Sequence, residues 1–388
     1  MYRIGKEEID AVARVIESGE LFKINGGPLQ ESKNLDREMK ELFGADAIVM
    51  TSGHAALTAA LIGMGIGPGD QVVVPAYTYI ATAMAVVAAG AIPVIADVDE
   101  SLTLSPRAFE KAITKHTRAV IPVHIQGFPC KMNEICEIAG KHNILVLEDA
   151  CQADGGSYNG KRLGTIGDAG AFSFNFYKVI SCGEGGALLT NNRTIYERAL
   201  IYHDASAVCF FGDQLKDVDE KLFCGSEYRT NEISSAILRV QLTRLDGILA
   251  DLRKNKKLLM EKIAPYCDFV PSNDIEGDCG TTVALCFDSA EKADSFTKAE
   301  GINAISPINT GKHIYTNWTQ IMSKTGAVNP LMDPFKMEAN KAIVPDYNND
   351  MCTKTLELLA KAVYISVNPD WSEKDVEEEA EKIIAALK

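Results

Sequence analysis

Short, continuous apolar runs alternate with helical stretches along the middle of the chain. From about Ala45 the strand candidates are IVM, QVVVPAY, PVIADVD, AVIPVH, ILVLEDA, AGAFSF and GALLTN. Continuous apolar runs bounded by turns are typical of strands buried on both faces, and strands that alternate with helices pair in parallel. The pattern therefore predicts an α/β fold with a mostly parallel central sheet, in which ligands bind at the carboxyl ends of the strands.

The two ends of the chain have a different texture. Polar residues with helical spacing fill the first forty positions, and a long helix is predicted to begin near Asn231. Beyond Pro265 the strand candidate TTVALCF alternates with polar helices, and Ser372 with Asp375 approximates a capping box at the last helix. We therefore predict a large domain over 1–250 and a smaller C-terminal α+β domain over 251–388.

Composition restricts the functions that this fold serves. The 388 residues are 46% hydrophobic and carry a formal net charge of −14, spread along the chain. Such a charge disfavours a nucleic-acid surface. None of the ten cysteines is spaced as CxxC, no apolar run is long enough to span a bilayer, and MYRIGKEEID does not resemble a signal segment. We expect a cytoplasmic protein with reduced thiols, and neither a metal, a membrane nor a nucleic acid as partner.

Lys178 is the first residue that indicates chemistry. It lies in the stretch AFSFNFYKVISCGEGG, where an apolar strand precedes it and Gly183, Gly185 and Gly186 follow. A lysine among apolar side chains is more easily a neutral amine, the nucleophile that forms a Schiff base with an aldehyde cofactor. The alternative is an exposed loop lysine, and this stretch alone leaves both interpretations open.

A carboxylate at the end of another apolar run fits the same chemistry. Asp149 ends the stretch ILVLED and is predicted at the carboxyl end of a buried strand. Pyridoxal 5′-phosphate (PLP) needs a buried carboxylate against its pyridine nitrogen, which keeps that nitrogen protonated and makes the ring an electron sink. The alternative is a strand-end carboxylate that caps the following helix.

Small residues join a strand to a helix in the stretch TSGHAAL. Ser52, Gly53 and His54 let backbone N–H groups at the positive end of a helix approach a phosphate. Ser173 would add a hydroxyl to the same phosphate. Many such turns bind nothing, and Ser173 can equally be an ordinary strand serine, so this segment is informative only together with the others.

An aromatic side chain follows a further strand candidate in VPAYTYIATAMA. Tyr79, or alternatively Tyr77, is placed at the strand exit to stack on a flat cofactor ring. The competing interpretation for either ring is a place in the core.

Together, in this order and spacing, these segments resemble the DegT/DnrJ/StrS family of PLP-dependent sugar aminotransferases. The resemblance runs from about residue 5 to the C-terminus and is most specific between residues 50 and 240. The family patterns P-x-x-T-aromatic-x-A-T, E-D-A-x-Q-A, F-S-F-x-x-x-K and G-E-G-G are matched at 75–82, 148–153, 172–178 and 183–186. The resemblance implies the fold type I architecture of aspartate aminotransferase, with a large domain and a smaller C-terminal one.

The resemblance also implies roles for individual residues. Lys178 would form the Schiff base with PLP and later shuttle a proton, and Asp149 would pair with the pyridine nitrogen. Gln152 would lie near the phenolic oxygen, Cys151 under the ring and Tyr79 above it. The residues implied to hold the phosphate are Ser52, Gly53, His54 and Ser173.

A later segment implies a second subunit. GSEYRTNEISSAI resembles a family stretch that reaches into the neighbouring subunit's site, so Glu227, Arg229 and Asn231 are candidates for a shared site, with Arg229 as a cofactor contact. The resemblance thus implies a homodimer.

Three positions depart from the family pattern. His54 replaces a threonine in the phosphate turn, Glu227 replaces an asparagine, and Asp154 replaces a histidine after E-D-A-x-Q-A. A carboxylate does not favour a phosphate, so we expect Glu227 to point elsewhere or to be a surface acid. These changes leave Lys178 and Asp149 untouched.

The C-terminal part departs further, in the stretch EGINAISPINTGKHIYTNWTQI. Its polar and aromatic residues His313, Tyr315, Asn317 and Trp318 form a cluster suited to a hydroxylated ligand. The alternative is a loop packed by Trp318. This stretch is more similar to family members of amino-octulosonate or aminocyclitol pathways than to the commonest nucleotide-sugar members.

The resemblance therefore implies an aminotransferase that moves an amino group from glutamate or glutamine to a keto-sugar, a nucleotide-linked keto-sugar or a related polyol. Two alternatives stay open. One is a non-catalytic PLP-binding regulatory protein. The other is a sugar dehydratase of the same fold, in which histidine replaces the lysine, and Lys178 argues against it.

Overall fold

The computed structural model describes residues 2–24, 27–207 and 218–388. Its helices are α1 Lys6–Ser18, α2 Glu31–Phe43, α3 Gly53–Gly63, α4 Ala81–Ala88, α5 Pro106–Ala112, α6 Met132–His142, α7 Arg193–His203, α8 Glu232–Ile263, α9 Ala290–Thr297, α10 Thr319–Met322, α11 Thr353–Lys361 and α12 Glu373–Leu387. Its strands are β1 Asp46–Met50, β2 Gln71–Pro75, β3 Ile92–Ala96, β4 Thr117–Val120, β5 Leu145–Asp149, β6 Ser157–Tyr158, β7 Lys161–Arg162, β8 Ala169–Ser173, β9 Gly186–Thr190, β10 Asp268–Phe269, β11 Thr282–Cys286, β12 Ala304–Ile305 and β13 Ala362–Ser366.

Within the described ranges, seven strands form a central sheet in the order β1-β9-β8-β5-β4-β2-β3. The strands from β3 to β8 in this order run parallel, and β9 is antiparallel to both β8 and β1. Both faces of this sheet are buried, which explains the continuous apolar runs. In β2, Val72 and Val74 pack into one hydrophobic core and Val73 packs into the other. The predicted α/β class with a mostly parallel central sheet is confirmed.

A second, antiparallel sheet has the order β10-β11-β13-β12. The helix α8 contacts α1, α2 and α12, and it begins after Asn231, whose side chain accepts a hydrogen bond from the N–H of Ser234 at 2.9 Å. This helix runs through residue 250, and the division of the chain at that residue stays a prediction. At the last helix, the Ser372 and Asp375 capping box forms as expected.

No helix in residues 2–24, 27–207 and 218–388 combines the length and the apolar character that crossing a bilayer requires.

Candidate active site

The predicted cofactor residues lie at one edge of the central sheet. Asp149 ends β5 and Ser173 ends β8, two strands that run parallel and pair directly. Ser52 follows β1, which runs in the same direction as β8 because β9 is antiparallel to both. Lys178 follows β8, and Tyr79 follows β2. Residues far apart in the sequence therefore share the edge at which α/β folds bind ligands.

The turn after β1 presents N–H groups at the start of α3. Ser52 caps this helix, because its Oγ accepts a hydrogen bond from the N–H of Ala55 at 3.1 Å and its carbonyl accepts one from Ala56. The first N–H groups of a helix have no partner within it, so those of Gly53 and His54 are left for an outside acceptor. Hydrogen bonding and the helix dipole both favour an anion here.

Neighbouring groups leave no space for a side chain at position 53. A Cβ on Gly53 would lie 2.6 Å from Cys151 Sγ and 2.9 Å from Ser173 Cβ. A Cβ on Gly186, which pairs with Ser173, would lie 2.2 Å from the carbonyl carbon of Ser52. The start of α3, the turn after β5 and the end of β8 thus form one tight cradle. Burial raises the pKa of the Cys151 thiol well above its usual value, so the cradle contains a neutral thiol.

His54 adds no positive charge to this cradle. Its Nδ1 lies 3.3 Å from the carbonyl oxygen of Ala81, so Nδ1 carries the proton and donates. Burial lowers the pKa of the imidazole, which keeps the ring neutral. His54 therefore serves an anion through its backbone N–H.

Asp149 is buried, and each of its carboxylate oxygens has a donor. The hydroxyl of Thr82 donates to Oδ2 at 2.7 Å, and the N–H of Cys151 donates to Oδ1 at 3.1 Å. The hydroxyl oxygens of Thr78 and Thr82 lie 2.7 Å apart, so Thr78 can donate to Thr82 in turn. This chain of hydrogen bonds fixes the carboxylate and leaves it lone pairs for a further donor, such as a protonated ring nitrogen.

The side-chain amide of Gln152 has a defined orientation. Its Oε1 accepts a hydrogen bond from the backbone N–H of Gln126 at 3.0 Å. A backbone N–H only donates, so the accepting atom must be the carbonyl oxygen and the NH₂ group points the other way. Gln152 is therefore a donor toward an acceptor oxygen, as the phenolic oxygen of PLP would require.

Lys178 is half-buried in the loop after β8, where its N–H donates to the carbonyl of Asn175 at 3.1 Å. Its charge reaches both sides of the site. Burial raises the pKa of the Cys151 thiol and of the Asp154 carboxyl, and Lys178 opposes both effects. Burial lowers the pKa of His313, and Lys178 lowers it further. Lys178 is thus close enough to act electrostatically on the turn after β5 and on His313.

His313 reaches this edge because residues 312–315 run beside the segment that follows β2. The N–H of Thr78 donates to the carbonyl of His313 at 2.9 Å, and the N–H of Tyr315 donates to the carbonyl of Ala76 at 3.0 Å. The imidazole then lies 5.5 Å from the Tyr79 ring between centroids. The sequence prediction had placed these two side chains in different parts of the site, and the backbone pairing brings them together.

The protonation of His313 suits a hydroxylated ligand. Its Nδ1 lies 3.3 Å from the carbonyl oxygen of Thr310 and donates to it. Burial lowers the pKa of the imidazole, and the nearby Lys178 and Lys312 lower it further. The ring is therefore neutral, and its Nε2 is available to accept a hydrogen bond from a hydroxyl group.

The two tyrosines after β2 have different environments. Tyr79 is 40% exposed, and the Lys312 ammonium lies 5.0 Å from its ring centroid. Tyr77 is 1% exposed and packs in the hydrophobic core. These exposures favour Tyr79 over Tyr77 as the ring that contacts a ligand.

Tyr315 and Trp318 are core residues of the turns around His313. Both side chains are fully buried; the Trp318 Nε1–H donates to the carbonyl of Lys312 at 3.0 Å, and the Tyr315 hydroxyl donates to the carbonyl of Asn349. Asn317 is exposed, and its Nδ2 donates to the carbonyl of Gly311. The predicted substrate contacts of Tyr315 and Trp318 are not supported by this burial, and the alternative of a loop packed by Trp318 describes both rings better.

The Arg229 side chain forms ion pairs with acidic residues of its own chain. Its guanidinium forms ion pairs with Asp204 and Glu227 and lies 5.1 Å from the Phe22 ring centroid. Backbone pairing nevertheless places it beside the phosphate turn, since Arg229 forms an isolated bridge with Met50. The role of Arg229 as a cofactor contact stays a prediction. The Glu227 carboxylate faces the Arg229 guanidinium, in line with the expectation that it does not bind the phosphate. Asn231 is the N-cap of α8.

Asp154 differs from every other acid in the site. It is 1% exposed, and among the described residues neither carboxyl oxygen has a hydrogen-bond partner. Burial raises the pKa of this carboxyl well above its usual value, and only Lys178 acts in the opposite direction. A buried carboxyl without partners is stable only when it is protonated.

The sequence analysis missed two residues that position the site. Thr82 was inside the motif 75–82, but its partner Asp149 is 67 residues away, so no local pattern showed the contact. Gln126 follows β4 outside all of the quoted motifs. The one signal near it is Gly127, which indicates a turn without identifying the amide that the turn holds.

Comparison with known proteins identifies the same family that the sequence motifs resemble. The sequence pattern of the DegT/DnrJ/EryC1/StrS aminotransferase family matches residues 2–311. A dTDP-3-amino-3,4,6-trideoxy-alpha-D-glucose transaminase of Streptomyces venezuelae is 40% identical over 240 residues, 61% of this chain and 60% of the relative. A putative L-glutamine:3-amino-2,3-dideoxy-scyllo-inosose aminotransferase of Streptoalloteichus tenebrarius is 32% identical over 273 residues, 70% of this chain and 65% of the relative. The chain spans less than two thirds of the length of these curated relatives.

A solved structure shows the same fold over the whole chain. The crystal structure of 3-amino-5-hydroxybenzoic acid synthase superposes with a TM-score of 0.79 at 26% identity, covering 100% of this chain and 97% of that chain. The predicted fold class is thereby confirmed a second time. Because the family pattern covers well over half of its residues, the chain belongs to the DegT/DnrJ/EryC1/StrS aminotransferase family.

Proposed function

We propose that this protein is a PLP-dependent aminotransferase. It moves an amino group from glutamate or glutamine to a keto-sugar, a nucleotide-linked keto-sugar or a related polyol, including octulosonates and cyclitols. The observation that carries the proposal is the meeting of Lys178, Asp149 and the N-terminus of α3 at one sheet edge. The names of the two curated relatives, a sugar transaminase and a cyclitol aminotransferase, support the substrate class.

The residues at this edge fit the three polar parts of the cofactor. The helix N–H groups of Gly53 and His54 suit the phosphate, the Asp149 carboxylate suits a protonated ring nitrogen, and the Gln152 amide suits the phenolic oxygen. These three groups of residues could therefore bind the phosphate, the ring nitrogen and the phenolic oxygen of one cofactor molecule. When bound, PLP supplies an aldehyde and an electron-withdrawing ring that stabilises negative charge at the substrate carbon.

Lys178 is the residue that moves protons in this proposal. As an amine, it takes the proton from the amino-bearing carbon of the donor and later returns a proton to the former carbonyl carbon of the acceptor. Its electrostatic influence on both Cys151 and His313 supports this role. Asp149 holds the ring nitrogen in this proposal and does not exchange protons with the substrate.

His313 and Tyr79 orient the acceptor. The neutral His313 ring offers Nε2 to a hydroxyl group of the sugar or polyol, and the exposed Tyr79 ring offers an apolar face beside it. Lys312, over the same ring, adds a positive charge that suits an acidic or nucleotide-linked acceptor.

We also propose that the protein works as a homodimer in the cytoplasm. Phe176 and Tyr177, directly before Lys178, are 63% and 76% exposed, and exposed aromatic rings beside a site are typical of surfaces that a partner covers. All cysteines within the described ranges are free thiols, which suits a reducing compartment. Sedimentation analysis of the purified protein tests the dimer.

The test of the function is a single half-reaction. Purified protein loaded with PLP is mixed with glutamate or glutamine in the absence of an acceptor, and its absorbance is followed while the keto acid is assayed. An aminotransferase converts the cofactor to its amine form and releases one keto acid per site. A regulatory protein binds PLP and does neither, which would overturn the proposal.

The acceptor is identified in the second half-reaction. Protein with the amine form of the cofactor is mixed with individual keto-sugars and inososes, and the return of the original absorbance reports amination. A sugar dehydratase would instead release a deoxygenated keto-sugar, and that product would assign the chain to the rival function despite Lys178.

A further inference from the structure

Gln126 lies between the cofactor cradle and the second sheet, and its backbone is strained. Its φ is 54° and its ψ is 20°, the left-handed region that residues other than glycine rarely occupy. Such strain persists only where surrounding contacts hold it, and it is concentrated at functional sites.

On one side, Gln126 holds the cradle. Its N–H donates to Gln152 Oε1 at 3.0 Å, the bond that turns the Gln152 NH₂ group outward as a donor. The next residue, Gly127, also has a positive φ of 80°, so two successive left-handed residues form the turn that contains this N–H.

On the other side, two threonines of the smaller sheet hold Gln126. The Thr281 hydroxyl donates to its backbone carbonyl at 2.7 Å, and the Thr282 hydroxyl donates to its side-chain Oε1 at 3.1 Å. Both threonines are buried; Thr282 is the first residue of β11 and Thr281 directly precedes it. The contact is close: a Cβ on Gly127 would lie 2.6 Å from Cys279 Cβ, so the two segments cannot slide past each other freely.

We propose that Gln126 is a positioning residue that orients the Gln152 amide toward the cofactor's phenolic oxygen. Gln126 is itself held in place by Thr281 and Thr282, which link it to the second sheet. The inference rests on the proposed function, because it needs PLP in the cradle. It makes the smaller sheet a determinant of the cofactor's electronic state.

The test measures the cofactor rather than turnover. A donor at the phenolic oxygen stabilises its ionised form, so losing that donor raises the pH midpoint of the absorbance change of the lysine-bound cofactor. Gln152→Glu keeps an acceptor for the Gln126 N–H but removes the donor, and we expect its midpoint to rise by about 0.5 to 1 pH unit or more. Thr281→Val should shift the midpoint in the same direction by a smaller amount.

Thr355→Val is the matched control. The Thr355 hydroxyl donates to Asp97 Oδ1 at 2.7 Å and accepts from the N–H of Val98, so it also ties the C-terminal part of the chain to the central sheet. It is buried like Thr281 but makes no contact with Gln126 or Gln152. The titratable groups near the cradle and Gln126 are the same in every threonine variant: His124, Glu148, Asp149, Cys151, Asp154, Lys178, Cys279 and His313.

A second readout uses the protein without its cofactor. Hydrogen–deuterium exchange at the Gln126 amide should quicken at least threefold in Thr281→Val, because the carbonyl hydrogen bond that holds the strained turn is lost. It should stay at the wild-type rate in Thr355→Val and remain slow in Gln152→Glu, which still accepts the bond.

The outcomes separate the two proposals. A wild-type protein that forms no absorbance band with PLP overturns the proposed function and this inference with it. A wild-type band with equal midpoints in wild type, Thr281→Val and Thr355→Val overturns the inference alone. Equal midpoint shifts in Thr281→Val and Thr355→Val would show general loosening and would also overturn it.

Discussion

The site has two sides that are built in different ways. The cofactor side consists of residues 52–54, 149–152 and 173–178 and lies at strand ends of the central sheet and at the start of α3. The acceptor side consists of residues 306–318 and is a succession of short 3₁₀ turns. The sheet fixes the first side directly, whereas the second is fixed by backbone hydrogen bonds to the segment after β2. The residues proposed to do the chemistry are therefore positioned by the sheet, and those proposed to contact the acceptor are positioned by turns.

Replacement of Lys178 should have the largest effect, because both half-reactions depend on it. Lys178→Ala removes the nucleophile and the proton carrier, so we expect no absorbance band of a lysine-bound cofactor and a loss of turnover of at least about 10²- to 10⁴-fold. Lys292→Ala is the control, since this exposed lysine of α9 pairs with Asp288 and belongs to neither side of the site. A Lys178→Ala protein that retains the band and full transaminase activity would refute the assignment.

Changes around Asp149 should slow both half-reactions equally. Asp149→Asn removes the charge that faces the ring nitrogen, and we expect a loss on the order of 10²-fold or more. Thr82→Val removes one of two donors to the carboxylate, and a hydrogen bond to a charged group corresponds to about tenfold or somewhat more. Stopped-flow absorbance with donor and with acceptor measures each half separately. An effect on one half alone would contradict the placement of Asp149.

The cofactor side was largely predictable from the sequence, for a physical reason. Each of its residues follows a buried strand, and buried strands show as continuous apolar runs that place the next residue at the ligand edge. Contacts between runs were not predictable, because the Thr82–Asp149 bond and the Gln126–Gln152 bond join segments with no shared periodicity. Both became visible only once the strands were in order.

The acceptor side was harder to predict because 3₁₀ turns have no long apolar period. His313, Tyr315 and Trp318 all appeared as polar-aromatic candidates, and only the structure separates the half-buried imidazole from two fully buried rings. The ion pair of Arg229 with Asp204 was hidden in the same way, since 25 residues separate them. Residue type showed which side chains could bind a ligand, and packing decided which ones are exposed to it.

His313→Ala should affect the acceptor half-reaction alone. The variant removes the Nε2 acceptor, and one neutral hydrogen bond corresponds to about 2- to 10-fold in kcat/KM for the acceptor. The donor half-reaction serves as an internal control and should keep the wild-type rate. Burial lowers the pKa of the imidazole, so the acceptor rate of the wild type should not change near pH 6.5, the ordinary pKa of histidine. The pH profile of the variant should therefore have the same shape as that of the wild type. Equal losses in both halves would remove the distinction between the two sides.

Asp154→Asn should change the stability of the protein more than its chemistry. Asp149 and Asp154 are five residues apart and both buried, yet Asp149 has a donor on each oxygen and Asp154 has none within the described part of the chain. Burial raises the pKa of Asp154 in the folded state, so the folded protein binds this proton more tightly than the unfolded chain does. The contribution of this carboxyl to the free energy of unfolding is therefore fully present below its unfolded pKa of about 4. It is lost as the pH rises from there toward the folded pKa.

Urea unfolding of the cofactor-free protein between pH 4 and 8 measures this slope. In Asp154→Asn the contribution of this carboxyl should vanish, and the variant should be more stable than wild type near pH 7, by about 1 kcal/mol or more. Asp346→Asn changes an almost fully exposed acid and should leave the slope as it is. A parallel pH dependence in wild type and Asp154→Asn would mean that Asp154 is ionised when folded. The carboxyl would then be a buried charge without a hydrogen-bond donor among the described residues, opposed only by the nearby Lys178.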